Sequence, residues 1–213
     1  LSKRARTIVF SSDQFKDNDF STYEDLADPK WKGKLCLRTS KKVYNRSLIA
    51  SMIDAYGFDK SKEVVSGWVS NLATEVFSND TNALKAVSSG QCGVTIVNTY
   101  YLSRLLDDPE YNNVSLFWAN QSDRGVHVNI SGAGVVKTSK NKKNAVSFLE
   151  YLSSNRAQDF YASANKEYPV LIGAKIDESI ENWGSFSEHT INVSKLGSLQ
   201  KEAVFLAQEV GYK

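Results

Sequence analysis

Cys92-Gly93-Val94-Thr95-Ile96-Val97 runs directly into Asn98-Thr99-Tyr100-Tyr101, and the reading of this stretch decides the fold. A short unbroken apolar run is the pattern of a strand covered on both faces. The residues after it, Thr99 to Leu106, carry helical spacing. A second stretch repeats the arrangement. Lys34 to Arg38, KLCLR, alternates between breakers and predicts a strand. Ser47 to Tyr56 predicts a helix through Leu48, Ile49, Met52 and Ile53, stopped by Gly57, with Tyr44 just before it. Cys36 to Tyr44 and Cys92 to Tyr100 are both eight residues apart. If KLCLR is the first strand and CGVTIV the third, the order 2-1-3-4 makes them neighbours. Open α/β sheets bind ligands at the crevice between such a pair. Tyr44, Tyr100 and Tyr101 would converge there.

Outward from this pair, Lys62 to Leu72 predicts another helix, Glu75 to Phe77 a short strand, and Asn79 or Asp80 the cap of a helix that ends at Gly90. Val114 to Ala119 reads as a strand. Strands alternating with helices from Lys34 to Ala119 indicate an α/β class with a mostly parallel sheet. Two extended stretches, Arg6 to Phe10 and Val126 to Lys137, bracket that block. Asn144 to Leu152, Arg156 to Tyr161 and Leu199 to Val210 read as helices.

Composition narrows the function classes. The chain has 213 residues, 41% of them hydrophobic, and 26 Lys and Arg against 24 Asp and Glu. A net charge of +2 with no concentrated basic stretch argues against a nucleic-acid binder. No apolar run approaches membrane-spanning length. No dinucleotide fingerprint, P-loop, HExxH or GxSxG motif is present. Two Cys and two His far apart do not make a conventional zinc site. By themselves Cys36 and Cys92 are two buried thiols or one disulfide.

The tyrosines remain as candidate chemistry. Phenol loses its proton near pH ~10, so phenolate at neutral pH needs a strong cation. Anionic oxygens suit a hard, highly charged ion, Fe(III) before zinc or copper(I). Arg38, Arg46 and Arg104 lie near the tyrosines in sequence and could orient phenolates or hold a counter-anion. A Tyr-Tyr pair after a strand is also ordinary aromatic packing, and the pattern leaves both readings open. His127, inside an extended segment, reads as structural.

Thr22 to Ser40 (TYEDLADPKWKGKLCLRTS), Asn98 to Leu106 (NTYYLSRLL), His127 to Ser154 (HVNISGAGVVKTSKNKKNAVSFLEYLSS) and Glu167 to Val170 (EYPV) closely resemble periplasmic ferric-iron-binding proteins. These are substrate-binding components of bacterial ABC-type iron importers, of solute-binding protein family 1. The resemblance implies a type II periplasmic-binding-protein lobe. It places Tyr100 and Tyr101 on two iron-ligand tyrosines and Tyr44 on a third found in one subgroup, with Arg38, Arg46 and Arg104 around them. The implied cargo is Fe(III), held in a cleft, with a synergistic anion as a further ligand and an ABC permease as partner. The implied protein is a periplasmic monomer when intact, with no catalysis. In an oxidising periplasm, neighbouring strands with equal offsets favour a Cys36–Cys92 disulfide. A binding module for a small organic or oxyanion ligand, or an α/β enzyme, are the alternative functions.

The resemblance also implies a domain plan. Residues 1–13 would be a crossing strand and 14–125 the C-terminal α/β lobe. Residues 126–175 would be a second hinge strand with a remnant of the N-terminal lobe, and 176–213 a helical segment. Most of the N-terminal lobe and any signal peptide would lie outside this chain. The apolar stripe Ala145, Val146, Phe148, Leu149 and Leu152 is then expected to lack a partner.

Overall fold

The computed structural model describes residues 1–213. Strand β1 (Ser2–Ser11) is the spine of a six-stranded sheet that also contains β2 (Leu35–Cys36), β3 (Val94–Asn98), β4 (Val114–Phe117), β5 (His127–Ser131) and β6 (Tyr168–Pro169). β2 and β3 are parallel neighbours, with Leu35 opposite Val94 and Cys36 opposite Thr95. Isolated parallel bridges Leu35–Leu72 and Arg38–Phe77 place the 72–77 segment on the outer edge of β2. β1 runs against β3, β4, β5 and β6. The succession 2-1-3-4 is therefore present with one antiparallel strand, β1, set between the third and fourth members.

β1 is longer than the apolar pattern RTIVF. Ile8–Ser11 pair with β4, while Ser2–Arg6 pair with β5, so the charged SKRAR half is also strand. KLCLR is shorter than expected, because beyond Cys36 the ladder continues only through single contacts with Phe77. Glu75 to Phe77 is accordingly a bridged edge segment and not a strand. Glu24–Ala27 is a 3-10 turn, and before it Thr22 Oγ1 accepts from the Asp25 amide at 3.1 Å.

The chain also has nine helices: α1 (Val43–Tyr56), α2 (Phe58–Ser70), α3 (Asp80–Ser88), α4 (Thr99–Ser103), α5 (Lys142–Leu152), α6 (Asn155–Asn165), α7 (Glu178–Glu181), α8 (Val193–Ser198) and α9 (Gln200–Glu209). One core lies between the sheet and α1, α2 and α9, through Ile8, Phe10, Leu48, Met52, Val65, Trp68 and Leu206. A second lies on the opposite face under α3 and α4, through Val9, Cys36, Leu84, Val87, Val97 and Leu102. Ile8 and Phe10 face one core and Val9 the other, which is the period of two expected of a central strand. Cys36 and Cys92 are bonded, with Cα atoms 5.9 Å apart.

The α2 helix approaches the 3-10 turn so closely that only glycine fits at position 67. A Cβ there would sit 2.5 Å from the Ala27 Cβ and 2.8 Å from its Cα and carbonyl oxygen. The obstacle is backbone, so it cannot rotate aside. Gly67→Ala is expected to lose about 1–3 kcal/mol by overpacking, despite alanine's better helix propensity, and a urea melt would read it.

α5 buries no residue, and Val146 and Phe148 are 46% and 59% exposed. Phe160 on α6 and Ile172 beyond it are exposed as well. The Ala145–Leu152 stripe is thus only half-covered within this chain, by α6, with Val146 and Phe148 left in solvent. α9, by contrast, packs its Ala203, Leu206 and Ala207 against the α1 and α2 side of the main core.

Candidate functional site

Tyr44 lies in the first turn of α1, which begins four residues earlier than the apolar spacing predicts. Asn45 and Ser47, polar and buried, hide the helical period there. Asn45 is held by the chain's end: its Nδ2 donates to Arg38 O at 2.7 Å and to Tyr212 Oη at 2.8 Å. Tyr100 and Tyr101 open α4 immediately after β3. The adjacency of β2 and β3 then brings all three tyrosines to one end of the sheet.

Tyr100 Oη stands 3.5 Å from Tyr44 Oη, and the Tyr100 and Tyr101 rings lie 4.3 Å apart. Arg38 Nη1 is 3.5 Å from Tyr101 Oη, with the guanidinium carbon 5.0 Å from the Tyr44 ring centre and 6.0 Å from that of Tyr101. Arg104 lies 4.9 Å over the Tyr100 ring and donates to Asn165 O at 3.2 Å. Arg46, the third arginine of the expected set, turns elsewhere: its Nε donates to Ser40 O, and it lines a crevice with Val204, Gln208 and Tyr212. Two residues along a helix, Arg46 points away from the side that Tyr44 occupies.

Burial, then the neighbouring hydroxyls of Tyr101 and Tyr44, push the Tyr100 phenol well above its ordinary value. Without a cation this phenol is neutral at pH 7, because two phenolate oxygens 3.5 Å apart would repel strongly. Burial works against the Arg38 charge, yet Asp80 and the bond to Tyr101 outweigh it and hold the guanidinium above its usual value. The arrangement offers up to three anionic oxygens to an ion able to displace their protons, beside two fixed cations. No group of three His, Cys, Asp or Glu side chains is placed to hold a metal.

His127 is structural. It is fully buried, with Nε2 2.9 Å from Ser47 Oγ, and burial followed by the Arg6 charge pushes it down to about 3.

Sequence reasoning missed the support beneath these side chains. Arg6, Asn45, Asp80 and Asn98 form a fully buried polar cluster, with Arg6 Nη1 on Asp80 Oδ2 at 3.0 Å and on Asn98 Oδ1 at 3.1 Å. The signal was Arg6 itself, on the same strand face as Ile8 and Phe10. A cation on an apolar face requires a buried acid somewhere in the chain.

Comparison with known proteins bears on the geometry. Iron uptake protein A1 of Synechocystis sp. is 45% identical over the whole of this chain, which spans 61% of that relative. Iron uptake protein A2 of the same organism is 41% identical, with 64% of its length spanned, so the chain is shorter than two thirds of these curated relatives. Among solved structures, the Trichodesmium protein IdiA (FutA), in complex with iron and citrate, superposes with a TM-score of 0.96 at 43% identity. All of this chain and 69% of that one are covered. The apo ferric ion-binding protein A of Pasteurella haemolytica gives 0.93 at 37% identity, covering all of this chain and 68% of its own. The family pattern described as bacterial extracellular solute-binding protein matches residues 4–190, and the chain belongs to that family.

Proposed function

We propose that this protein binds Fe(III) through the phenolate oxygens of Tyr44, Tyr100 and Tyr101 and delivers it to an ABC-type import permease, working in the periplasm without catalysis. The observation that carries the reading is the convergence of three phenols on one sheet end, with two oxygens 3.5 Å apart and Arg38 and Arg104 alongside. Phenolates are hard anionic donors, and a trivalent ion compensates both their mutual repulsion and the loss of three O–H bonds. Relatives named for iron uptake and ferric ion binding support the same cargo. The citrate in the Trichodesmium structure supports an anion as an additional ligand.

The domain plan belongs to the same proposal. Residues 14–125 would form one lobe, β1 and β5 the crossing strands, 126–175 the edge of a second lobe, and 176–213 a helical segment. The uncovered face of α5 and α6 would pack against the part of the protein by which its relatives exceed this chain. Cleft closure over the iron would then be a rotation about β1 and β5.

Metal analysis of the whole natural protein, purified without chelators, tests the cargo. One equivalent of iron and a visible phenolate-to-iron charge-transfer band are expected, and a colourless protein that takes up no iron defeats the reading. Affinity should also depend on pH. Tyr100 is protonated when no iron is bound, so each phenol that becomes a ligand releases one proton. Apparent affinity should therefore fall about tenfold per pH unit for each such proton as pH decreases. Iron titrations against a chelating competitor other than citrate, corrected for that chelator's own proton competition, at pH 8, 7 and 6, buffer values chosen at ~1 unit spacing, would show that slope.

A further inference from the structure

Asp80 has a buried carboxylate oxygen that the fold does not use. It opens α3, but Asn79 does the capping, with Oδ1 accepting from the Asn82 amide at 2.8 Å. Asp80 Oδ2 accepts from Arg6 Nη1 at 3.0 Å and from the Asn98 amide at 3.2 Å. Oδ1 has no hydrogen-bond partner and faces Arg38 Nη1 at 3.6 Å. Arg6 has no use for that second oxygen. Its Nε and Nη2 both reach Asn45 Oδ1, its Nη1 also reaches Asn98 Oδ1, and Nη2 donates to Ile96 O.

A fully buried carboxylate oxygen without a bond is costly unless a charge faces it. Here that charge is Arg38, whose side chain is 8% exposed. The same Nη1 that faces Asp80 stands 3.5 Å from Tyr101 Oη, and the guanidinium carbon lies 5.0 Å from the Tyr44 ring centre. A free arginine side chain would turn outward to water. This one lies inward, between an anion and two phenols.

Resting on the reading that these phenols hold Fe(III), we propose that Asp80 is a positioning residue for the iron site. Its Oδ1 keeps the Arg38 guanidinium against Tyr44 and Tyr101, so that Nη1 donates to the Tyr101 oxygen when that oxygen is an iron-bound phenolate. Such a hydrogen bond draws electron density from the phenolate. It thereby raises the energy of the charge-transfer band and stabilises the anionic ligand over the phenol. Asp80 touches neither iron nor phenol and acts only through Arg38.

The test is a double-mutant cycle in the whole natural protein, with Arg38→Gln, Asp80→Asn and both together. Each single substitution should move the charge-transfer band to longer wavelength and lower apparent Fe(III) affinity by about 10–100-fold, the range for residues that orient a ligand. The double variant should be no worse than the more affected single. Because Asp80→Asn removes the ion partner of Arg6, near-ultraviolet circular dichroism of the iron-free variant checks folding. Arg6→Met combined with Asp80→Asn, which removes the buried pair as a unit, should give the same band shift. Additive effects overturn the proposal, as does an unmoved band in a folded Asp80 variant. A wild-type protein with no phenolate band at all overturns the iron reading itself. A wild-type band with an unaffected Asp80→Asn protein overturns only the positioning role.

Discussion

Replacing Tyr100 and Tyr101 together by Phe is expected to remove the charge-transfer colour and lower Fe(III) affinity by more than about 100-fold. That is beyond the range typical of residues that merely orient ligands. The substitution deletes two oxygens and keeps both rings. The 4.3 Å ring pairing and the Arg104 contact over Tyr100 remain available. Tyr100 Oη loses only a long contact with Tyr44 Oη, and Tyr101 Oη only one with Arg38. Melting of the iron-free protein should therefore shift by no more than about 1 kcal/mol, the scale of one ordinary hydrogen bond. Tyr44→Phe should weaken binding in the same direction. Iron titration with optical detection, beside a thermal melt, separates ligand loss from unfolding. Unchanged affinity in the double variant would remove the tyrosines from the site whatever the fold.

What could be read beforehand was what depends on local pattern. CGVTIV is a strand because six consecutive small or apolar residues fit between two covered faces, and Val94–Asn98 indeed separates the two cores. The helices after it and after KLCLR follow from apolar spacing. The equal offsets from Cys36 to Tyr44 and from Cys92 to Tyr100 predict the convergence of the phenols, whose oxygens stand 3.5 Å apart. The rest depends on long-range partners that no local pattern carries. The Ser2–Arg6 half of β1 is strand because β5, more than a hundred residues later, supplies its hydrogen bonds. α1 begins at Val43 although Asn45 and Ser47 break the apolar stripe, because Arg38 O, Tyr212 Oη and His127 satisfy those polar groups. Asp80 looked like a helix cap for the same reason: its partners Arg6 and Arg38 lie far away in sequence. Arg46 is close to Tyr44 in sequence yet points to a different crevice, since neighbours two apart on a helix do not share a face.

Removing the Cys36–Cys92 bond is expected to cost the iron-free protein about 4 kcal/mol, because the bond closes a loop of 56 residues in the unfolded chain. For a chain of this size that corresponds to a fall of roughly 8–16 °C in melting temperature. The Cys36→Ala, Cys92→Ala double variant reads it, and thiol labelling of the denatured, unreduced wild type should find no reactive sulfur. The consequence reaches the site as well as the stability. Cys36 is on β2, two residues before Arg38, and Cys92 leads into β3, which delivers Tyr100 and Tyr101. Those two strands share only the short register Leu35–Val94 and Cys36–Thr95, so the disulfide supplements a ladder with few bonds of its own. Loosening it should widen the range of distances between Arg38 and Tyr101 and between Tyr44 and Tyr100. Iron affinity should then fall together with stability, without loss of any ligand oxygen. A double variant that melts like the wild type would mean that the 36–92 loop is already closed in the denatured ensemble. A variant that melts early yet binds iron unchanged would mean that α1 and α3, packed on opposite faces of the sheet, hold the two strands in register without the bond.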